Sequence, residues 1–166
     1  TSGFNGPTIR PDTSRRRSRP DGVAALGAQS FAPQVLAWMH RTHDAPAIGA
    51  AVATLRAAGL DDISLDLIFA VPEALARNWD ADLDAALALE PNHLSLYGLT
   101  VEPQTPLGRW TARAEVVPAS EGRYADEFLR AHQRLAAAGF EHYEVSNYSR
   151  PGRRADKPSR PRSRAG

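Results

Sequence analysis

Strand-like and helix-like hydrophobic patterns alternate along the middle of this chain. GVAALGAQSF (22–31) reads as a short buried strand with its exit loop. PQVLAWMHR follows, with Val35, Leu36 and Met39 able to share one helical face and Pro33 suited to a first helical turn. Asp44 can cap the next helix, which has Pro46 in its first turn. That helix carries Ile48, Val52 and Leu55 at helical spacing and stops at Gly59, a good left-handed position. In DISLDLIFA (62–70), Ile63, Leu65, Leu67 and Phe69 alternate with Ser64, Asp66 and Ile68, and Pro72 breaks the strand. A helix from about Arg77 to Glu90 carries Trp79, Leu83, Ala86 and Leu87. HLSLYGLTV (93–101) predicts a third strand. A turn, EPQTPLG, and a short helical piece around Trp110 lead to a long helix from about Ser120 to Ala138. Tyr124, Phe128, Leu135 and Ala138 mark its inner side, and Gly139 ends it. FEHYEVSNYS (140–149) predicts a fourth strand and loop.

Strands alternating with helices imply an α/β fold, about four parallel strands joined by crossover helices. An open doubly wound sheet and part of a (β/α) barrel both fit. No GxGxxG or GxxxxGK[ST] follows any strand, so dinucleotide and P-loop readings have no support. In either architecture function collects at the C-terminal ends of the strands. The polar residues there are Gln29, Asp66, Thr100 and Glu102, then Glu144, Ser146 and Asn147 on the fourth strand. Asp66, flanked by Leu65, Leu67 and Ile68, is costly to bury unless bonded or paired. It is either bonded within the structure or part of a ligand site. His40 and His43 lie three apart, a spacing that can share a metal, but no third ligand of clear spacing accompanies them. A surface or packing role fits the pair better. His93, before a strand, reads as structural, and His142 and Glu144 share a strand face by period two.

Composition narrows the class. The chain has 166 residues, 42% of them hydrophobic, enough for one ordinary domain with a core. No apolar run approaches a membrane span, and the start lacks the apolar stretch of a signal peptide, so a cytoplasmic protein is the default. There is no cysteine, which excludes disulfides, thiolate metal sites and any iron–sulfur cluster held by the chain's own thiolates. The net charge of +1 hides an asymmetry: residues 1–22 hold five Arg and two Asp, residues 153–166 hold six Lys/Arg and one Asp, and the body between carries 9 basic and 16 acidic residues. Segments 1–21 and 153–166, rich in Arg, Pro and Ser, read as disordered basic ends flanking a 22–152 domain. Basic ends can neutralise phosphates. No aromatic is interleaved with the arginines, so nucleic acid is not the favoured partner.

Five blocks then add up to a resemblance: LGAQSF, HRTH, ISLDLIFAVPEA, PNHLSLYGLTVEPQTPLGR and AAGFEHYEVSNYSRPG, in this order over residues 22–152. They resemble the central part of radical S-adenosylmethionine (SAM) proteins related to oxygen-independent coproporphyrinogen III oxidase. The wording of EVSNYSRPG and SLYGLTVEPQTPLG is closer to the HemW branch, the heme chaperones. The resemblance implies part of a radical SAM partial (β/α)6, TIM-like barrel, whose full-length form binds SAM, a [4Fe–4S] cluster and heme or porphyrin. It implies SAM contacts at Gln29, Arg41 and Asp66 and a backbone contact at Thr100. An amide and a carboxylate suit the ribose and methionine ammonium, and a guanidinium suits the methionine carboxylate. Arg109 and the EPQTPLG loop resemble family residues near the substrate side.

The departures are equally specific. The family's CxxxCxxC loop is absent, as are its Gly-rich block that meets the methionine amine and its C-terminal domain, including the His-Asn-rich segment that would follow SNYSRPG. The strand GVAALG looks about two residues shorter than the family's form. Both ends have the composition of out-of-frame translation of high-GC coding sequence, an expectation that resequencing the locus tests. The resemblance therefore implies retained SAM-site residues without a cluster, and a chain inactive alone. An oxygen-independent coproporphyrinogen III oxidase, and a small non-catalytic α/β protein using its basic ends on nucleic acid, are the competing readings.

Overall fold

The computed structural model describes residues 23–153, so the readings for 1–21 and for 154–166 lie outside the described residues. The elements run β1 (Ala24–Gln29), α1 (Pro33–Trp38), α2 (Ala45–Ala57), β2 (Ile63–Phe69), a 3-10 turn (Glu73–Leu75), α3 (Trp79–Ala88) and β3 (His93–Gly98). Then come α4 (Pro106–Ala112), α5 (Glu121–Ala137), β4 (Glu141–Tyr143) and β5 (Asn147–Ser149). The helix starts are chemically marked. The side chains of Asp44, Asn78, Thr105 and Ser120 accept from the amides of Ala47, Ala81, Gly108 and Arg123, each satisfying a donor that the first turn leaves orphaned.

One sheet holds all five strands in the order β1-β2-β3-β5-β4. The first three are parallel, with Leu26 beside Leu65 and Leu65 beside Leu94. Parallel neighbours need crossovers, and α2 and α3 supply them. The odd positions of β2, Ile63, Leu65, Leu67 and Phe69, are at most 2% exposed. They pack with Leu26, Ala28, Leu94 and Leu96 under Ile48 and Val52 of α2, Trp79, Leu83 and Ala86 of α3, and Ala131 and Leu135 of α5. Each such side chain contributes about 1.5–3 kcal/mol of hydrophobic stabilisation. Helices thus cover one face of the sheet. α1 packs separately, Val35 and Met39 against Ile68 and Val71 at the C-terminal end of β2.

The α/β class and the parallel β1–β3 unit match the sequence pattern, but the predicted fourth parallel strand does not. After Tyr143 the chain turns through Glu144, which has φ +55°, and returns as β5. β5 lies antiparallel to both β3 and β4, with His93 beside Ser149 and Ser95 beside Asn147. The return gives β3 a partner on its far side: Leu96 N donates to Ser146 O at 2.8 Å. It also buries Tyr148 in the core at 1% exposure. The EVSN turn contains no Gly or Pro, so alternation alone reads straight through it.

Candidate functional site

Strand alternation places a second set of residues on the face that α2, α3 and α5 leave open. Leu65 and Leu67 point into the core, so Ser64, Asp66 and Ile68 face the other way. Asp66 sits in register with Ser95 of β3, and Ser95 with Asn147 of β5. Ser95 Oγ donates to Asn147 Oδ1 at 2.8 Å, and Asn147 Nδ2 donates to Glu144 Oε2 at 2.8 Å. Asp66 is different. No hydrogen bond or ion pair to its carboxylate is found among the described residues, and burial pushes that carboxyl above its usual range. A partially buried acid without a compensating donor is costly, and such groups concentrate at binding sites. Of the two readings open for Asp66, bonding within the structure is the one the geometry does not supply.

Gln29 ends β1 in a strained turn. Its φ is +66°, and Ser30 N donates to Ala28 O at 2.8 Å, closing a three-residue γ-turn around it. A non-glycine residue in this region costs on the order of 1 kcal/mol and persists only where the surroundings hold it. The pairing with β2 also slips here, from Leu26 beside Leu65 to Gln29 beside Leu67, so β1 carries one extra residue. The Gln29 amide folds back over Gly27, where an added Cβ would lie 3.3 Å from Nε2. Gly27 thus leaves the space that the amide occupies.

The surroundings that hold the turn come from three elements. His43, between α1 and α2, donates from Nε2 to Ala28 O at 3.2 Å. Asp82 of α3, 2% exposed, accepts from Ser30 Oγ at 2.5 Å and from Phe31 N at 2.9 Å. Arg77 donates to Asp82 at 3.2 Å, to Ile68 O at 2.8 Å and to Glu127 of α5 at 3.3 Å. Glu127 in turn accepts from Ala70 N at 2.6 Å. The exits of β1 and β2 are therefore tied together behind the site by a buried ionic chain. Burial pulls the Arg77 guanidinium down, against the opposing pull of Glu127 and Asp82, and an arginine keeps its charge there.

The other expected contacts are placed less centrally. Arg41 lies in the turn after α1, two residues beyond Met39, which packs against Ile68. It is partly buried, and burial lowers its pKa. Thr100 is exposed, two residues past the end of β3. Arg109 is exposed on α4, with Nη1 donating to Gln104 O at 3.3 Å. Of the histidine pair, His40 is exposed and His43 serves the γ-turn, and no group of three or more metal-ligating side chains occurs among the described residues. β4 stops at Tyr143, so His142 and Glu144 do not share a strand face: His142 stacks on Tyr148 with ring centroids 4.7 Å apart.

Sequence reading passed over Ser30, Arg77, Asp82 and Glu127. A signal existed for the acids. Asp82 falls on the Trp79–Leu83–Ala86 stripe of α3, three residues after Trp79, and Glu127 lies four before buried Ala131 on α5. A carboxylate on a buried helical stripe requires a partner.

Comparison with known proteins identifies relatives and a shared fold. No family model matches the chain. It is 39% identical to heme chaperone HemW of Synechocystis sp. over 128 residues, which are 77% of this chain and 31% of that protein. Identity is 38% to heme chaperone HemW of Mycobacterium tuberculosis and 36% to that of Escherichia coli, each over 77% of this chain and 33% of the relative. The chain thus spans about a third of the length of the curated relatives it matches. Among solved structures it superposes on coproporphyrinogen III oxidase (HemN) from Escherichia coli, a radical SAM enzyme, with a TM-score of 0.65 and 20% identity, over 78% of this chain and 30% of that one. That similarity shows the fold. No helix among the described residues is long and apolar enough to cross a membrane.

Proposed function

We propose that this chain is a segment of a HemW/HemN-like radical SAM protein and that the open face of β1–β3 is a SAM-binding surface. In this reading Gln29 and Asp66 take the ribose and the methionine ammonium, Arg41 takes the methionine carboxylate, and the backbone at Thr100 adds a contact after β3. The observation that carries the reading is the pairing of a strained, back-folded Gln29 amide with an unpartnered, desolvated Asp66 carboxylate on adjacent strands. Burial disfavours the charged forms of both Asp66 and Arg41. A ligand ammonium beside Asp66 would favour its charged form, and a ligand carboxylate can pair with a guanidinium such as that of Arg41.

The residues do not fit the iron–sulfur cluster. A [4Fe–4S] centre of this kind is held by thiolates, and the sequence contains no cysteine. Bound SAM would offer a reducible sulfonium, but nothing in this chain delivers an electron to it. The chain by itself is therefore a binding surface without the reductive chemistry. The relatives' names support heme-chaperone work in porphyrin metabolism as the role of the complete protein, with heme or a porphyrin as its partner. Titration calorimetry of the 166-residue chain with SAM tests the site. We expect binding that Asp66→Ala and Gln29→Ala both weaken, and no 5′-deoxyadenosine under reducing conditions. Binding unchanged by both substitutions, or 5′-deoxyadenosine formed by this chain after cluster reconstitution, would overturn the reading.

A further inference from the structure

We propose that Asp82, acting with Ser30, is a positioning residue for the ligand-facing amide of Gln29. The inference rests on the SAM-site reading and goes beyond it, because Asp82 lies on the helix-covered side of the sheet and touches no expected ligand atom. Its two oxygens grip the two residues after Gln29. Oδ2 accepts from Ser30 Oγ at 2.5 Å and Oδ1 accepts from Phe31 N at 2.9 Å. Ser30 Oγ also accepts from Ala32 N at 3.1 Å, so the hydroxyl links Asp82 to the start of α1. On the other flank, Ala28 O is held by Ser30 N and His43 Nε2. Gln29, which pairs with Leu67 of β2, thus lies between two residues that are held by side chains from other elements.

The energetics explain why the grip is needed. A γ-turn with positive φ at glutamine is a strained conformation that persists only where its surroundings hold it. Relaxation would carry the amide off Gly27. Two short bonds to one buried carboxylate oppose that motion, and both lie within two residues of the strained position. Arg77 holds the carboxylate itself, and the same guanidinium donates to Ile68 O, two residues beyond Asp66. The two ligand-facing side chains are therefore indexed to one buried charged pair, Gln29 through Asp82 and Asp66 through the strand that Arg77 anchors.

The test compares Ser30→Ala and Asp82→Asn with Asn78→Ala in the full chain. Asn78 caps the same helix α3 through Ala81 N, so its loss perturbs α3 without touching the turn. Below the unfolding range of all variants, we expect Ser30→Ala and Asp82→Asn to weaken binding of S-adenosylhomocysteine by about three- to tenfold, the scale of one or two lost hydrogen bonds. Asn78→Ala should leave binding unchanged. In ligand-free protein, the Gln29 side-chain amide resonances and the exchange protection of Phe31 N–H should change in the first two variants and not in the third. Equal weakening by Asn78→Ala would reduce Asp82 to a stability role. Unchanged Gln29 and Phe31 signals in Ser30→Ala and Asp82→Asn would overturn the proposal even if the wild type binds no ligand, whereas altered signals without any wild-type binding would sink the SAM reading alone.

Discussion

Replacing Arg77 by methionine removes the cation at the centre of the buried chain while nearly keeping its volume. The guanidinium, 0% exposed, makes hydrogen bonds to Ile68 O, Asp82 and Glu127 and sits 4.6 Å over the Trp79 ring. Breaking a buried ion pair by removing one partner costs about 3–5 kcal/mol, because the other charge stays buried. Here the stranded acids keep other donors: Asp82 keeps Ser30 and Phe31, and Glu127 keeps Ala70 N and Arg123. The lower end of the range, about 3 kcal/mol, is therefore expected. Against a typical total of about 5–15 kcal/mol that is a large share. Urea unfolding should show the midpoint falling by roughly 1–2 M with the slope little changed. Adding Glu127→Gln should cost less in the Arg77→Met background than in the wild type, since the partner is already gone. A cost for Arg77→Met below about 1 kcal/mol, or strict additivity with Glu127→Gln, would refute the ionic chain as a unit.

Asp66→Asn should trade function for stability with a definite pH signature. Burial raises the folded carboxyl above its ordinary 3.8, so the folded state holds the proton more tightly and loses stability as pH rises from 3.8 through the raised value. The amide variant should match the wild type below that window and exceed it above, as read from urea midpoints at pH 3 and pH 7; an equal advantage at both would refute the desolvation argument. Gly108→Ala should destabilise by about 1–3 kcal/mol in thermal melts, because the new Cβ would lie 2.0 Å from Glu102 O and 2.8 Å from Pro103 Cα, both backbone atoms of the loop that α4 packs on. A neutral Gly108→Ala would mean that loop is free to shift.

The helix starts and the parallel unit were legible because their causes are local. Asp44 and Ser120 cap what the pattern assigned to them, and Ile63 to Phe69 alternate as a half-buried strand must. The hairpin was not legible because its cause is distant: β3 has an edge to satisfy, and Tyr148 has a pocket beneath α5 to fill. The same distinction divides the site. In sequence Gln29 stands out as an amide at a strand end and Asp66 as a carboxylate inside an apolar strand. Asp82 hides inside a helix, 52 positions from the serine it grips. Nothing in its local spacing names Ser30 as the partner, although its place on the apolar stripe shows that a partner must exist.

The sheet separates what stabilises from what binds, and the separation explains how the binding face can be locally unfavourable. Gln29 in its left-handed turn costs on the order of 1 kcal/mol, and an unpartnered Asp66 adds a desolvation penalty of about 1–3 kcal/mol. Both lie on strands whose opposite faces carry Leu26, Leu65 and Leu67, each worth about 1.5–3 kcal/mol of burial. Because side chains alternate, the same few residues of backbone present both faces, and the core side holds the polar side in place. A face stabilised from behind need not satisfy its own polar groups, so Gln29 and Asp66 can stay oriented for a ligand rather than for each other. The buried chain from Asp82 to Glu127 extends this arrangement to the loops, where alternation ends and packing alone no longer sets direction. Removing core volume behind β2 should therefore lower stability before it alters the geometry of the open face, whereas loosening the Asp82 grip at Ser30, which leaves the Arg77 pair intact, should do the reverse.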